Sequence, residues 1–176
     1  MNYADIKQYD VANGVGIRVS LFVSGCTHHC KGCFNKETWD FSYGEPFTEK
    51  EIERILEYLK PDYVTGLTLL GGEPMEPSNQ EALLPLLRKV HQDYPNKTIW
   101  CYSGYLFDQD IMGRMYKESK TTEEFVSYLD ILVDGPFVLE KKNLKINFRG
   151  SENQRIIDVK KSLENGQVVR WESEIV

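Results

Sequence analysis

The sequence predicts an α/β fold, a partial parallel β/α barrel, from three observations. Strand-like and helix-like patterns alternate along the chain, and such alternation implies parallel strands joined by right-handed crossovers. The strand-like runs end at Ser24-Gly25, Gly71-Gly72 and Asp134-Gly135-Pro136, so loops able to gather a ligand share the carboxyl ends of the strands. The length of 176 residues falls short of a complete eight-stranded barrel, which typically takes about 200 residues or more. With 41% hydrophobic residues the chain can bury a core, and one domain over residues 1–176 is expected.

Ile17-Arg-Val-Ser-Leu-Phe-Val23 is rich in β-branched and aromatic residues and reads as a buried strand that delivers a cysteine-rich loop. Thr48-Glu-Lys-Glu51 is a capping box, and Ile52, Ile55, Leu56 and Leu59 continue it at helical spacing until Pro61 stops the pattern. Gly66 to Leu70 forms the second strand. Ser78 to about Tyr94 forms a helix in which Pro85 either introduces a kink or marks the true first turn. Thr98 to Tyr102 is a strand, Asp108 to Ser119 a helix, and Tyr128 to Val133 a strand. Trp39, Phe41 and Tyr43 alternate with polar residues, which fits an extended segment packed on the core. Beyond Phe137 the periodicity weakens, and residues 141–158 carry no clear element.

The formal charge is −6, and Lys and Arg are scattered without the basic stripe that neutralises nucleic-acid phosphates, so no nucleic-acid partner is expected. No apolar stretch reaches membrane-spanning length and the first residues lack a signal-like core, so a soluble cytoplasmic protein with no membrane partner is expected. The four cysteines do not read as a secreted disulfide framework, which would spread an even set along the chain.

Three of them stand within eight residues, Cys26-Thr-His-His-Cys30-Lys-Gly-Cys33. Iron–sulfur clusters are normally held by four thiolates, so three leave one iron open to a small molecule. Two other readings compete. One makes the triad with His28 or His29 a structural Cys₃His zinc site, although ligands so close in sequence are hard to arrange tetrahedrally. The other takes Cys30 and Cys33 alone as a thiol–disulfide pair, which leaves Cys26 without a role. Cys101, inside a strand, reads as a buried small hydrophobe, and His28 and His29 as residues that shape the loop.

The Cys-x₃-Cys-x₂-Cys spacing after the first strand resembles the signature of the radical S-adenosylmethionine superfamily. Gly71-Gly72-Glu73-Pro74 is similar to its Gly-Gly-Glu motif, although alone it is also an ordinary strand-to-helix turn. Asp10 to Arg18 resembles the lead-in of glycyl-radical activating enzymes. Gly32 to Trp39, Trp100 to Tyr105, Leu132 to Pro136 and Phe148 to Asp158 resemble the activating proteins of anaerobic ribonucleoside-triphosphate reductase. Pyruvate formate-lyase activators share the layout but are typically longer, and they remain the alternative enzyme reading. A zinc-stabilised binding module without catalysis is the alternative outside enzymes.

The resemblance implies a partial barrel of the radical S-adenosylmethionine type, open at one edge for a protein substrate. It implies a [4Fe-4S] cluster on Cys26, Cys30 and Cys33, whose open iron is chelated by the amino and carboxylate groups of S-adenosylmethionine. One electron from reduced flavodoxin or a similar donor would cleave the sulfonium to methionine and a 5′-deoxyadenosyl radical. That radical would take hydrogen from a glycine Cα of the large reductase subunit. No catalytic side chain beyond the cluster and cofactor site is implied. Contacts to S-adenosylmethionine carried over by motif are Gly32, Cys33, Phe34, Gly71, Gly72 and Glu73, with Ser103 and Asp134 just past strand ends. Gly32 stands where the superfamily usually has an aromatic residue, so adenine stacking passes to Phe34. Arg149, Asn153, Gln154 and Arg155 either bind the cofactor carboxylate or cap the sheet edge. The oligomeric state, a homodimer among the options, is left open.

Overall fold

The computed structural model describes residues 1–172. Its strands are β1 (Asn2–Asp10), β2 (Ile17–Val23), β3 (Glu45–Pro46), β4 (Val64–Gly71), β5 (Thr98–Ser103), β6 (Ile131–Asp134) and β7 (Arg155–Asp158). They form one seven-stranded sheet in the order β3-β1-β2-β4-β5-β6-β7. The four central strands, β2, β4, β5 and β6, are parallel, as the alternation predicts. The flanks are not. β1 pairs antiparallel with β2 and β3, and β7 antiparallel with β6, so the sheet is mixed and not closed.

The helices are α1 (Glu49–Leu59), α2 (Pro77–Asp93), α3 (Tyr116–Glu118), α4 (Lys120–Ser127) and α5 (Val159–Asn165), with a π-helical segment over Phe107–Met115 leading into α3. The capping box of α1 is formed, with Thr48 Oγ1 accepting from Lys50 N and the Glu51 carboxylate accepting from Thr48 N at 2.6 Å. Ile52, Ile55 and Leu59 are its buried residues. In α2 the first-turn proline is Pro77, and Pro85 stands in the helix interior on an exposed position. The carbonyl that Pro85 leaves unpaired belongs to exposed Glu81, where water can replace the lost bond.

Side chains alternate across each strand. Val19, Leu21, Val23, Leu67, Leu69, Ile99, Cys101 and Leu132 point to the helix-covered face, where they build the main core with Ile55, Leu83, Leu87 and Phe125. Strand register places Arg18, Ser20, Thr68, Trp100, Tyr102 and Val133 on the opposite face. That inner face is partly polar. Arg18 is fully buried there, donating to Thr68 Oγ1, Thr98 Oγ1 and the carbonyls of Val15, Leu67 and Thr98, with its guanidinium 5.6 Å from the Trp100 ring centroid.

Several sequence expectations need correction. Trp39, Phe41 and Tyr43 do not form an extended strand: Lys36–Trp39 is a 3₁₀ turn and the following residues turn back. The strand expected to start at Tyr128 starts at Ile131, because Tyr128 caps α4. The helix expected over residues 108–119 is the π segment plus α3, a wider turn than helical spacing suggests. No helix among the described residues is long and apolar enough to cross a membrane.

Candidate functional site

β2 ends at Ser24-Gly25, and Gly25 is required there. Its φ is +104°, and a Cβ would stand 2.3 Å from the Phe41 ring. Gly25 N donates to Thr38 O at 2.8 Å and Cys26 N to Trp39 O at 3.2 Å, which draws the two ends of the cysteine loop together. Within it Cys33 N donates to Cys30 O at 3.1 Å, making a tight turn. The result faces Cys26, Cys30 and Cys33 into one cavity of about 380 Å³ at the carboxyl ends of the parallel strands.

Gly71, Gly72 and Glu73 form the neighbouring wall. A Cβ on Gly72 would lie 2.7 Å from Gly25 O and 2.8 Å from Thr38 O, so only glycine lets the end of β4 pass this close to the cysteine loop. Glu73, 1% exposed, is a hub. Its Oε1 is bonded to His28 Nε2 at 2.7 Å and accepts from Gly104 N at 2.7 Å and Ser103 Oγ at 3.1 Å, while Oε2 accepts from Met75 N at 2.9 Å. One carboxylate thus ties the cysteine loop to the end of β5. Asn79 Nδ2 adds bonds to Ser24 O at 3.1 Å and Glu73 O at 3.0 Å. Glu76 holds Thr27 through its hydroxyl at 2.6 Å and its amide at 3.1 Å.

The remaining walls come from the C-terminal segment, through Phe137, Leu144, Ile146, Phe148, Arg149, Gly150 and Gln154. Gln154 pins it, accepting from Gly150 N at 2.8 Å and donating to Gly135 O at 3.0 Å. Phe34 packs 5.0 Å from Phe137 at the mouth. Three residues that line the cavity keep a buried donor without a protein partner, Trp39 Nε1, Tyr102 OH and Arg149 Nε.

Burial pushes the Cys26 thiol up to about 11 and raises that of Cys30, so each keeps its proton near neutrality until a metal displaces it. A raised Cys30 is the opposite of the reactive thiolate that a thiol–disulfide pair needs. His28 is held by Glu73 and His29 stacks on Trp39 with centroids 4.5 Å apart. Among the described residues no three His, Cys, Asp or Glu side chains converge on a single ion position. In a cluster each cysteine bonds a different iron, so the thiols need not converge on one point.

The structure brings Cys26, Cys30, Cys33, Phe34, Gly71, Gly72, Glu73 and Ser103 to the cavity. Gly32 and Asp134 are not on its wall. Gly32 supplies the turn at φ +78°, backed by Leu139. Asp134 is fully buried and taken up by Arg155, at 3.0 and 2.6 Å, and by Phe107 N at 2.8 Å. Cys101 is buried in the helix-facing core, as expected of a small hydrophobe. Sequence reasoning missed Asn13, Trp39 and Tyr102. Tyr102 was within reach, since alternation from Trp100 places it on the inner face.

Residues 12–157 match a family described as a 4Fe-4S single cluster domain. The chain is 40% identical over 158 residues to the anaerobic ribonucleoside-triphosphate reductase-activating protein of Pasteurella multocida, covering 89% of this chain and 96% of that one. The protein of the same name from Enterobacteria phage T4 is 40% identical over 158 residues, with 89% and 93% covered. That of Escherichia coli K12 is 37% identical over 156 residues, with 88% and 96% covered.

Proposed function

Because this chain belongs to the family of anaerobic ribonucleoside-triphosphate reductase-activating proteins, we propose that its cavity is the site of a radical S-adenosylmethionine activase acting on that reductase. The observation that carries the reading is three thiols, Cys26, Cys30 and Cys33, opening into the cavity that Gly71-Gly72-Glu73 walls. When bound, the [4Fe-4S] cluster and S-adenosylmethionine supply the reductive cleavage and hydrogen abstraction that leave a glycyl radical on the reductase.

The chain's own residues bind, orient and exclude water. Cys26, Cys30 and Cys33 would hold the cluster. Gly71 and Gly72 would let backbone groups approach the cofactor closely, and Phe34, tilted 58° against Phe137, would take the adenine. Ser103 acts through a hydroxyl already held by Glu73 and the Tyr105 amide. Glu73, already saturated by donors, acts mainly by fixing the cysteine loop. Gly32 and Asp134 shape the loop and the start of the π segment respectively. Phe137, Ile146 and Phe148 give the cavity an apolar wall that would help keep water from a reactive intermediate.

The open sheet is read as a partial barrel in one catalytic unit, with its unclosed edge left for the reductase polypeptide. Reduced flavodoxin or a similar donor is proposed as the electron source, and a homodimer as the working assembly. Anaerobically reconstituted protein mixed with S-adenosylmethionine, reductant and reductase should give a glycyl doublet by electron paramagnetic resonance. Absence of the doublet with the cluster intact would refute the assignment.

A further inference from the structure

The chain carries a formal charge of −6, yet the rim of the cavity is basic. Residues 26–40 carry Lys31 and Lys36 with Glu37 and Asp40, and residues 139–152 carry Lys141, Lys142, Lys145 and Arg149 with Glu140 and Glu152, so the two stretches together are net positive. These two stretches are far apart in sequence and meet at the mouth. Lys142 Nζ lies 5.2 Å from the centroid of Phe34, and Lys36 Nζ lies 5.6 Å from that of Trp39, both rings being on the cavity wall. Neither ammonium makes an ion pair among the described residues, whereas Arg88, Lys89, Arg114 and Arg155 all do. The rim lysines are exposed, and their charge rests on aromatic faces with no carboxylate neutralising it. Beside them stand exposed Phe34 and Leu144. A rim with an excess of cations around an apolar cleft favours an anionic visitor.

We propose that this rim is a docking surface for an acidic stretch of polypeptide on the reductase, flanking the glycine that enters the cavity. The inference rests on the activase reading above. A peptide is favoured over nucleic acid because the cations surround an apolar mouth and do not form a stripe that could track a phosphate backbone.

The test uses Lys36→Glu/Lys142→Glu, the neutral pair Lys36→Gln/Lys142→Gln, and a control reversal at exposed Lys60 and Lys117. Each reconstituted protein is measured for iron per chain, for S-adenosylmethionine cleavage with dithionite alone, and for association with the reductase at several salt concentrations. The expected result is unchanged iron and unchanged cleavage in every variant. Association in about 50 mM salt should slow roughly tenfold for the glutamate pair and less for the glutamine pair, with the difference vanishing near 0.5 M. The control should associate like wild type. Association of the glutamate pair at the wild-type rate in low salt would overturn the proposal, as would a loss of iron, which would assign the rim to the cluster. A random oligonucleotide binding wild type as tightly as the reductase does would also overturn it. No binding of wild type to the reductase would remove the activase reading itself, and the dithionite cleavage separates that failure from the others.

Discussion

Replacing Glu73 with glutamine tests whether the carboxylate is a bracket or a cofactor contact. Oε1 is bonded to three donor groups and Oε2 to one, all in a site 1% exposed. A glutamine can keep its oxygen toward His28, Ser103 and Gly104, which turns its amide onto Met75 N and leaves two donors face to face. The loss is one charge-assisted bond plus one buried unsatisfied N–H, together roughly 2–4 kcal/mol. For a domain of this size that lowers Tm by about 4–16 °C. Thermal unfolding of anaerobically reconstituted wild type and Glu73→Gln, with iron content and S-adenosylmethionine affinity measured on the same samples, gives the comparison. Iron content should fall with Tm, because the bracket holds the cysteine loop. A variant with wild-type Tm and iron, altered only in cofactor affinity, would refute the bracket.

Serine at Cys26, Cys30 or Cys33 should abolish the cluster, whereas Cys101→Ala should keep full iron and cost about 1 kcal/mol in denaturant unfolding, since Cys101 only packs. Gly72→Ala should cost roughly 1–3 kcal/mol and reduce iron incorporation, because its Cβ meets two backbone oxygens at 2.7 and 2.8 Å. Gly166→Ala, with open space around it but φ of +68°, should cost only about 1 kcal/mol and leave the iron unchanged. Burial alone would raise the Asp10 pKa, but donors from Ser20, Asn13 and Ala12 outweigh it and hold the carboxyl below its ordinary value. Its stabilisation is therefore complete above the unfolded pKa and disappears as pH falls through the folded one. Asp10→Asn should show a shallower acid-range loss of stability than wild type when both are unfolded in parallel, and identical slopes would contradict this.

The elements that sequence showed well are those whose pattern is made by burial on two faces or by a cap. Ile17–Val23 matches β2 residue for residue, and Thr48 with Glu51 marks the start of α1, because a run of apolar residues and a capping box are each fixed locally. β1 escaped because only Tyr3 and Asp10 of its nine residues are buried, so its lysine, glutamine and aspartates read as surface. β7 escaped because Arg155 begins it and its pairing with β6 is decided by a carboxylate across the sheet. α4 is eight residues with three buried positions, too short for a periodic signal.

The site divides along the same line. Cysteine spacing and the Gly-Gly-Glu motif are local, and all six of those residues line the cavity. Ser103 and Asp134 were chosen for lying at strand ends, and the pairing of Ser103 with Asp134 puts them on the same face of the sheet. That face is the one that Leu132 and Cys101 present to the helices, so Asp134 meets Phe107 N and Arg155 and lies off the cavity wall. Ser103 reaches the cavity because the chain turns at Gly104, where a Cβ would strike the His28 ring at 2.6 Å. Which polar strand end serves the site is therefore settled by pleat parity together with the close approach of a loop from elsewhere in the chain. Parity can be read from alternation, whereas the approach of His28 to Gly104 exists only once Glu73 has joined the two segments.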